Sequence, residues 1–200
     1  VFVDSRAPDT PIGLRVEGGS EWRSVNGFDL NWSNPAGQHS PVSGVEYSIY
    51  DDQGSLVQGP TRADGADVTS LTSVHVPTSG SFRILLRLVD AAGNVGQPAS
   101  ANLKFDDGRP GNVAPENTPT WLSADELPLR QSIERAAPGG PSGIQGYAMS
   151  ISKDGPESPC PTGTCDQVDL TVAGGQEQRT VVVPDLTEGS HWISTVASSG

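Results

Sequence analysis

Cys160 and Cys165 are the first residues in this chain with chemistry to offer, a pair inside Ser158-Pro159-Cys160-Pro161-Thr162-Gly163-Thr164-Cys165. The composition of that run suits a turn-rich connection between strands. A disulfide closing so short a loop contributes about 2 kcal/mol by the chain-entropy argument, and such a bond is the expectation. Zinc is the sharper alternative, but it needs about four ligands, and the sequence supplies no second Cys pair and no His-x-x-x-His partner. His39, His75 and His191 are scattered and belong to neither an H-E-x-x-H nor a G-x-S-x-G pattern. No nucleophile and base are brought together by spacing, so the expectation is a chain without catalytic residues and without a cofactor.

Carboxylates near repeat boundaries are the next candidates. Asp4 and Asp9 stand at the entrance of the first repeat and Asp106 and Asp107 at its exit, with Asp90 and Asn94 near one pole. Calcium takes about six to eight oxygens and accepts side-chain and backbone donors alike, so these four Asp are the metal candidates. The competing explanation is that Asp and Asn favour turns for their own reasons. Among aromatics, Trp22, Tyr50 and Trp121 have polar neighbours. They are the candidates for contact with a carbohydrate or protein ligand, set against the common placing of amphipathic rings at domain rims.

The elements that position these residues come in two copies. Pro41-Val42-Ser43-Gly44-Val45-Glu46-Tyr47-Ser48-Ile49 returns as Gly143-Ile144-Gln145-Gly146-Tyr147-Ala148-Met149-Ser150-Ile151, and Val3-Asp4 with Pro8 matches Phe105-Asp106 with Pro110. A repeat of about 100 residues is the size of one immunoglobulin-like sandwich. The expected organisation is 1–9 as the tail of a preceding repeat, 10–106 as a first sandwich, 107–118 as a linker and 119–200 as a second, truncated one. Alternation supports strands throughout: Ile12, Leu14 and Val16; Phe28, Leu30 and Trp32; Val45, Tyr47 and Ile49; Phe82, Ile84, Leu86 and Leu88; Ala101, Leu103 and Phe105. Residues 55–73 read as a looser stretch. No segment carries a helical period of useful length, so the fold class is all-β.

A Trp on the second strand followed by Pro (Trp32, Pro35), the step Val42, Val45, Tyr47 and a long alternating strand running into Ala92-Gly93-Asn94 resemble the fibronectin type III module. Trp22-Arg23-Ser24 with Asn26, Phe28, Leu30 and Asn34 is similar to the immunoglobulin-like repeats of large bacterial secreted proteins. The resemblance implies two tandem sandwiches, the second lacking its last strand, in an extracellular or cell-surface setting. Two departures stand out. Phe82 occupies the place where these modules usually carry a corner Tyr, and the second copy has Leu129, Gln131 and Ile133 where the first has its Trp strand. Either Trp121 or Trp192 is expected to fill the vacated core volume, and the strand near 189–197 is expected to keep an open edge.

A net charge of −12 with only dispersed Lys and Arg excludes nucleic acid as the partner, since phosphate binding rests on clustered cations. No apolar run approaches membrane-spanning length. The functional expectation is a non-catalytic spacer or adhesion repeat whose partners include neighbouring repeats. The alternative is a carbohydrate-binding accessory module of a larger extracellular enzyme.

Overall fold

The structure is a computed structural model that describes residues 2–159, 170–173 (backbone), 179–183 and 186–199. Cys160 and Cys165, and with them the expected disulfide, lie outside the described residues. The chain divides into two compact units, Val1–Asp107 and Gly108–Gly200.

In the first unit, seven strands follow the alternation of the sequence: β1 (Ile12–Val16), β2 (Phe28–Ser33), β3 (Val42–Asp51), β4 (Leu56–Asp64), β5 (Ser70–Val74), β6 (Gly80–Asp90) and β7 (Ala99–Phe105). They form a sheet of order β1-β2-β5 and one of order β4-β3-β6-β7, every pairing antiparallel. Phe28, Leu30 and Trp32 of the smaller sheet pack with Val45, Ile49, Ile84, Leu86, Leu88 and Leu103 of the larger in one buried cluster. That three-on-four sandwich has the strand order of a fibronectin type III module. Because side chains alternate between faces, burying one row of β6 commits Arg83, Leu85 and Arg87 to the outside.

The second unit repeats the plan among its described residues. Its strands are β8 (Pro115–Glu116), β9 (Leu129–Ile133), β10 (Ile144–Ser152), β11 (Leu170–Ala173), β12 (Thr180–Val183) and β13 (Trp192–Ser199). They pair in the orders β8-β9-β12 and β11-β10-β13. This matches the first unit strand for strand up to the equivalent of β6. Among the described residues no strand lies on the outer edge of β13. The two repeated phrases agree even in their irregularity, for the register shifts between Val42 and Gly44 on β3 and between Ile144 and Gly146 on β10. At the first bulge a Cβ on Gly44 would lie 2.7 Å from the carbonyl oxygen of Ala63, which is why glycine stands there.

Several expectations are corrected. The stretch read as loose contains the nine-residue strand β4. It is an edge strand with an irregular register against β3 and mostly exposed side chains, so it lacks the buried row that makes strands visible. Ile12 does not join Leu14 and Val16 inside. A bulge between Ile12 and Arg15, with Gly13 at φ 67°, turns it out to solvent. Neither candidate indole fills the second core: Trp121 is 89% exposed and Trp192 51%. Ile133 stands fully buried at the place of Trp32, a smaller side chain in the matching position.

The boundary segments are also engaged. Residues 115 and 116 of the expected linker pair with β9. Asn94 Nδ2 donates to the backbone oxygens of Asp4 and Arg6, fastening the amino-terminal stretch to the first unit.

Candidate functional site

One five-residue turn is used twice in the first unit. In Asp51-Asp52-Gln53-Gly54-Ser55 the Asp51 carboxylate accepts from the amides of Gln53 (3.0 Å) and Ser55 (2.7 Å). In Asp90-Ala91-Ala92-Gly93-Asn94 the Asp90 carboxylate accepts from Ala92 (2.9 Å) and Asn94 (2.8 Å). The fourth residue of each is a glycine in the left-handed region, Gly54 at φ 82° and Gly93 at φ 88°, a conformation that favours residues without a Cβ. Short polar side chains that bond their own backbone make such turns. Asp90 is 2% exposed, and its second oxygen accepts from Asn94 Nδ2 at 3.0 Å.

The candidate metal residues fall at two ends of this unit. β3 and β6 run antiparallel with Val42 opposite Asp90 and Asp51 opposite Phe82. Nine residues of strand at about 3.3 Å each therefore separate the pole of Asp90 from the pole where β6 begins and β7 ends. Asp4 and Asp9 sit at the Asp90 pole. The Asp4 carboxylate accepts from the Ser40 hydroxyl and from the Arg6 amide, while Asp9 exchanges hydrogen bonds with the Gln38 side chain. The Ser40 hydroxyl, then the Arg6 amide, then the charges of His39 and Arg6 hold the Asp4 carboxyl below its ordinary value of 3.8, against a desolvation that works the other way. Asp106 and Asp107 follow β7 at the far pole, where Asp107 accepts from the Ser79 hydroxyl at 2.6 Å. Among the described residues no three His, Cys, Asp or Glu side chains gather into a metal site.

Polar residues of the Trp22–Pro35 stretch also serve the fold. The Asn26 side chain pairs with Val76 like a strand, accepting from its amide at 2.9 Å and donating to its carbonyl at 2.7 Å. Arg23 donates to the backbone oxygens of Glu17 and Gly19. Trp32 is buried, with its indole N–H donating to Asn34 at 3.1 Å. Sequence reasoning gave these residues only a cadence; the backbone atoms they reach lie as far as 50 positions away.

The structure places two of the three candidate aromatics on the outward side of one sheet, without contact between them. Tyr50 lies on β3 between Leu56 of β4 and Arg83 of β6, on the outward side of the four-stranded sheet. Trp22 lies past the β7 edge, beside the Lys104 ammonium, which stands 5.9 Å from its ring. Its neighbour Arg23 pairs with Phe105 in a parallel bridge. Alternation places Lys104 on the same outward side, since Leu103 and Phe105 are buried. Trp121 belongs to the second unit, just before the Ala124–Glu126 turn. There the Ser123 hydroxyl and amide both donate to Glu126, and its carboxyl is held low by those bonds.

No protein-family model matches the chain, and no curated protein matches it. Among solved structures it is similar to the central fibronectin-III array of RIM-binding protein, at 13% identity and a TM-score of 0.35, covering 96% of this chain and 63% of that one. It is also similar to the FN1–FN3 domains of chicken CNTN1, at 18% identity and a TM-score of 0.38, covering 96% and 62%. The chain thus spans less than two thirds of either structure.

Proposed function

We propose that this chain is a pair of non-catalytic structural modules of adhesion type, belonging to a secreted or cell-surface protein of bacterial origin. One observation carries the reading. The pole carboxylates hold the protein's own turns and strap: Asp51 and Asp90 accept from backbone amides, Asp4 from Ser40 and Arg6, Asp107 from Ser79. Two units, each with its own buried cluster, supply what a spacer needs, a body that adds length and resists unfolding by itself.

Stretching single molecules tests this. Each unit should yield separately, with a contour gain of about 30 nm for roughly 100 residues at 3.3–3.6 Å apiece. One cooperative event spanning the whole chain would sink the modular reading.

A further inference from the structure

We infer that the outward face of the sheet β4-β3-β6-β7 is a binding surface for an acidic, uronate-bearing polysaccharide. The inference rests on the adhesion reading and names what is adhered to.

Charge is distributed unevenly over the first unit. Its 1–107 sequence holds thirteen acids and seven bases, yet the outward rows of this one sheet hold Arg62, Arg83, Arg87 and Lys104 against only Glu46 and Asp64. The register fixes the placement. Glu46 lies between Arg62 and Arg87, Tyr50 lies beside Arg83, Arg83 faces Asn102, and Ser81 faces Lys104. Asp64 is already bonded to Arg62 at 2.6 Å. A local excess of cation therefore sits on a strongly acidic protein, and it faces solvent.

Spacing and shape select the occupant. Arg83 and Arg87 are four residues apart on one strand, about 13 Å, and Lys104 is about 8 Å from Arg83 on the neighbouring strand. Cations so separated suit a polymer with one carboxylate on every ring or two better than a compact phosphate. Tyr50 and Trp22 flank the row about three strand spacings apart, and an aromatic face takes the apolar side of a sugar ring. Between them Asn102, Ser48, Ser81 and Ser100 offer neutral donors and acceptors to hydroxyl groups. An extended acidic peptide would instead seek the backbone groups of a sheet edge, which a pleated face does not present.

The test titrates the 200-residue protein with polygalacturonate, with dextran as the neutral polymer and poly-glutamate as the acidic peptide, by calorimetry in about 0.1 M salt. Screening there acts over about 10 Å, so a polymer on this face feels its cations and little of the acid elsewhere. Polygalacturonate should bind and the other two should not, with affinity falling at about 1 M salt. Arg83→Ala with Arg87→Ala should weaken binding about tenfold or more, and Tyr50→Ala should weaken it at every salt concentration. Arg15→Ala, on the other sheet, should bind as the parent does. Unchanged urea midpoints identify variants that remain folded. Absence of polygalacturonate binding, equal binding of dextran or poly-glutamate, or full binding by the double arginine variant overturns the inference. Two separate unfolding events under force would still uphold the spacer reading in that case.

Discussion

Replacing Asp90 by Asn measures what a buried carboxylate adds to a turn, because the same turn at Asp51 supplies an internal reference. In Asp51→Asn the amide oxygen can keep both backbone donors, Gln53 and Ser55, and only their charge assistance is lost. Charged acceptors contribute roughly 1.5–3 kcal/mol per bond and neutral ones roughly 0.5–1.5. For a partly exposed group, solvent screening reduces the difference to about 1 kcal/mol in all. Asp90→Asn loses the same assistance at a site 2% exposed, where screening is weak. It also turns an amide nitrogen either toward Asn94 Nδ2 or toward the amides of Ala92 and Asn94, donor against donor in both cases, and Asn94 Nδ2 cannot turn away without releasing the backbone oxygens of Asp4 and Arg6. The expected cost is about 3 kcal/mol. With a urea slope of roughly 1–3 kcal/mol per molar, the midpoint should fall by about 1–3 M, roughly three times the shift of Asp51→Asn at about 0.3–1 M. Fluorescence reads this unit well, since Trp32 is buried in its core and Trp121 is exposed in either state. Equal shifts for the two variants would refute the argument that burial and the Asn94 link set the value of Asp90.

Two further outcomes are expected. Gln131→Leu should destabilise the second unit by about 1–3 kcal/mol, although Leu30 fills the matching place in the first. Gln131 is 1% exposed and its amide donates to the backbone oxygens of Glu116 (2.7 Å) and Ser132 (2.8 Å), so it ties the two-residue strand β8 to β9. A rise in the thermal midpoint would show that apolar burial outweighs that tie. Ser40→Ala should raise the carboxyl pKa of Asp4 toward 3.8, as followed by carbon NMR, because the Ser40 hydroxyl is the largest cause of its lowering. With a folded value below the unfolded one, the Asp4 contribution to stability is present above about pH 4 and fades as pH falls through the folded value. An unmoved titration in the variant would place the cause elsewhere.

Alternation makes the inner rows legible in the sequence, because a half-buried strand must write its burial into every second residue. Phe82, Ile84, Leu86 and Leu88 on β6 and Val45 and Ile49 on β3 are such rows, and the repeated phrase carried even the bulge at Gly44 and Gly146. What stayed hidden has no such period. β4 is an edge strand whose side chains mostly meet water, and β8 is too short for a pattern. The Asp4–Asp9 strap is held by Ser40, Gln38 and Asn94, partners 29 to 90 residues distant along the chain. Nor does any local rule report that Gln131 can replace a Leu when a carbonyl of β8 needs a donor.

The outward face lies between these cases. From the sequence, Arg83 and Arg87 are plainly on the solvent side of their strand, and Tyr50 on that of its own. That these residues share one surface with Arg62 and Lys104 follows only from register, which joins positions up to 48 apart through β3 and β6. Total charge averages over the chain: a net charge of −12 describes the molecule, while a polymer within a Debye length of this one sheet would meet mainly that sheet's own cations. The sandwich makes this separation unavoidable, since burying one face of every strand assigns all remaining side chains to two opposed surfaces whose charges need not match.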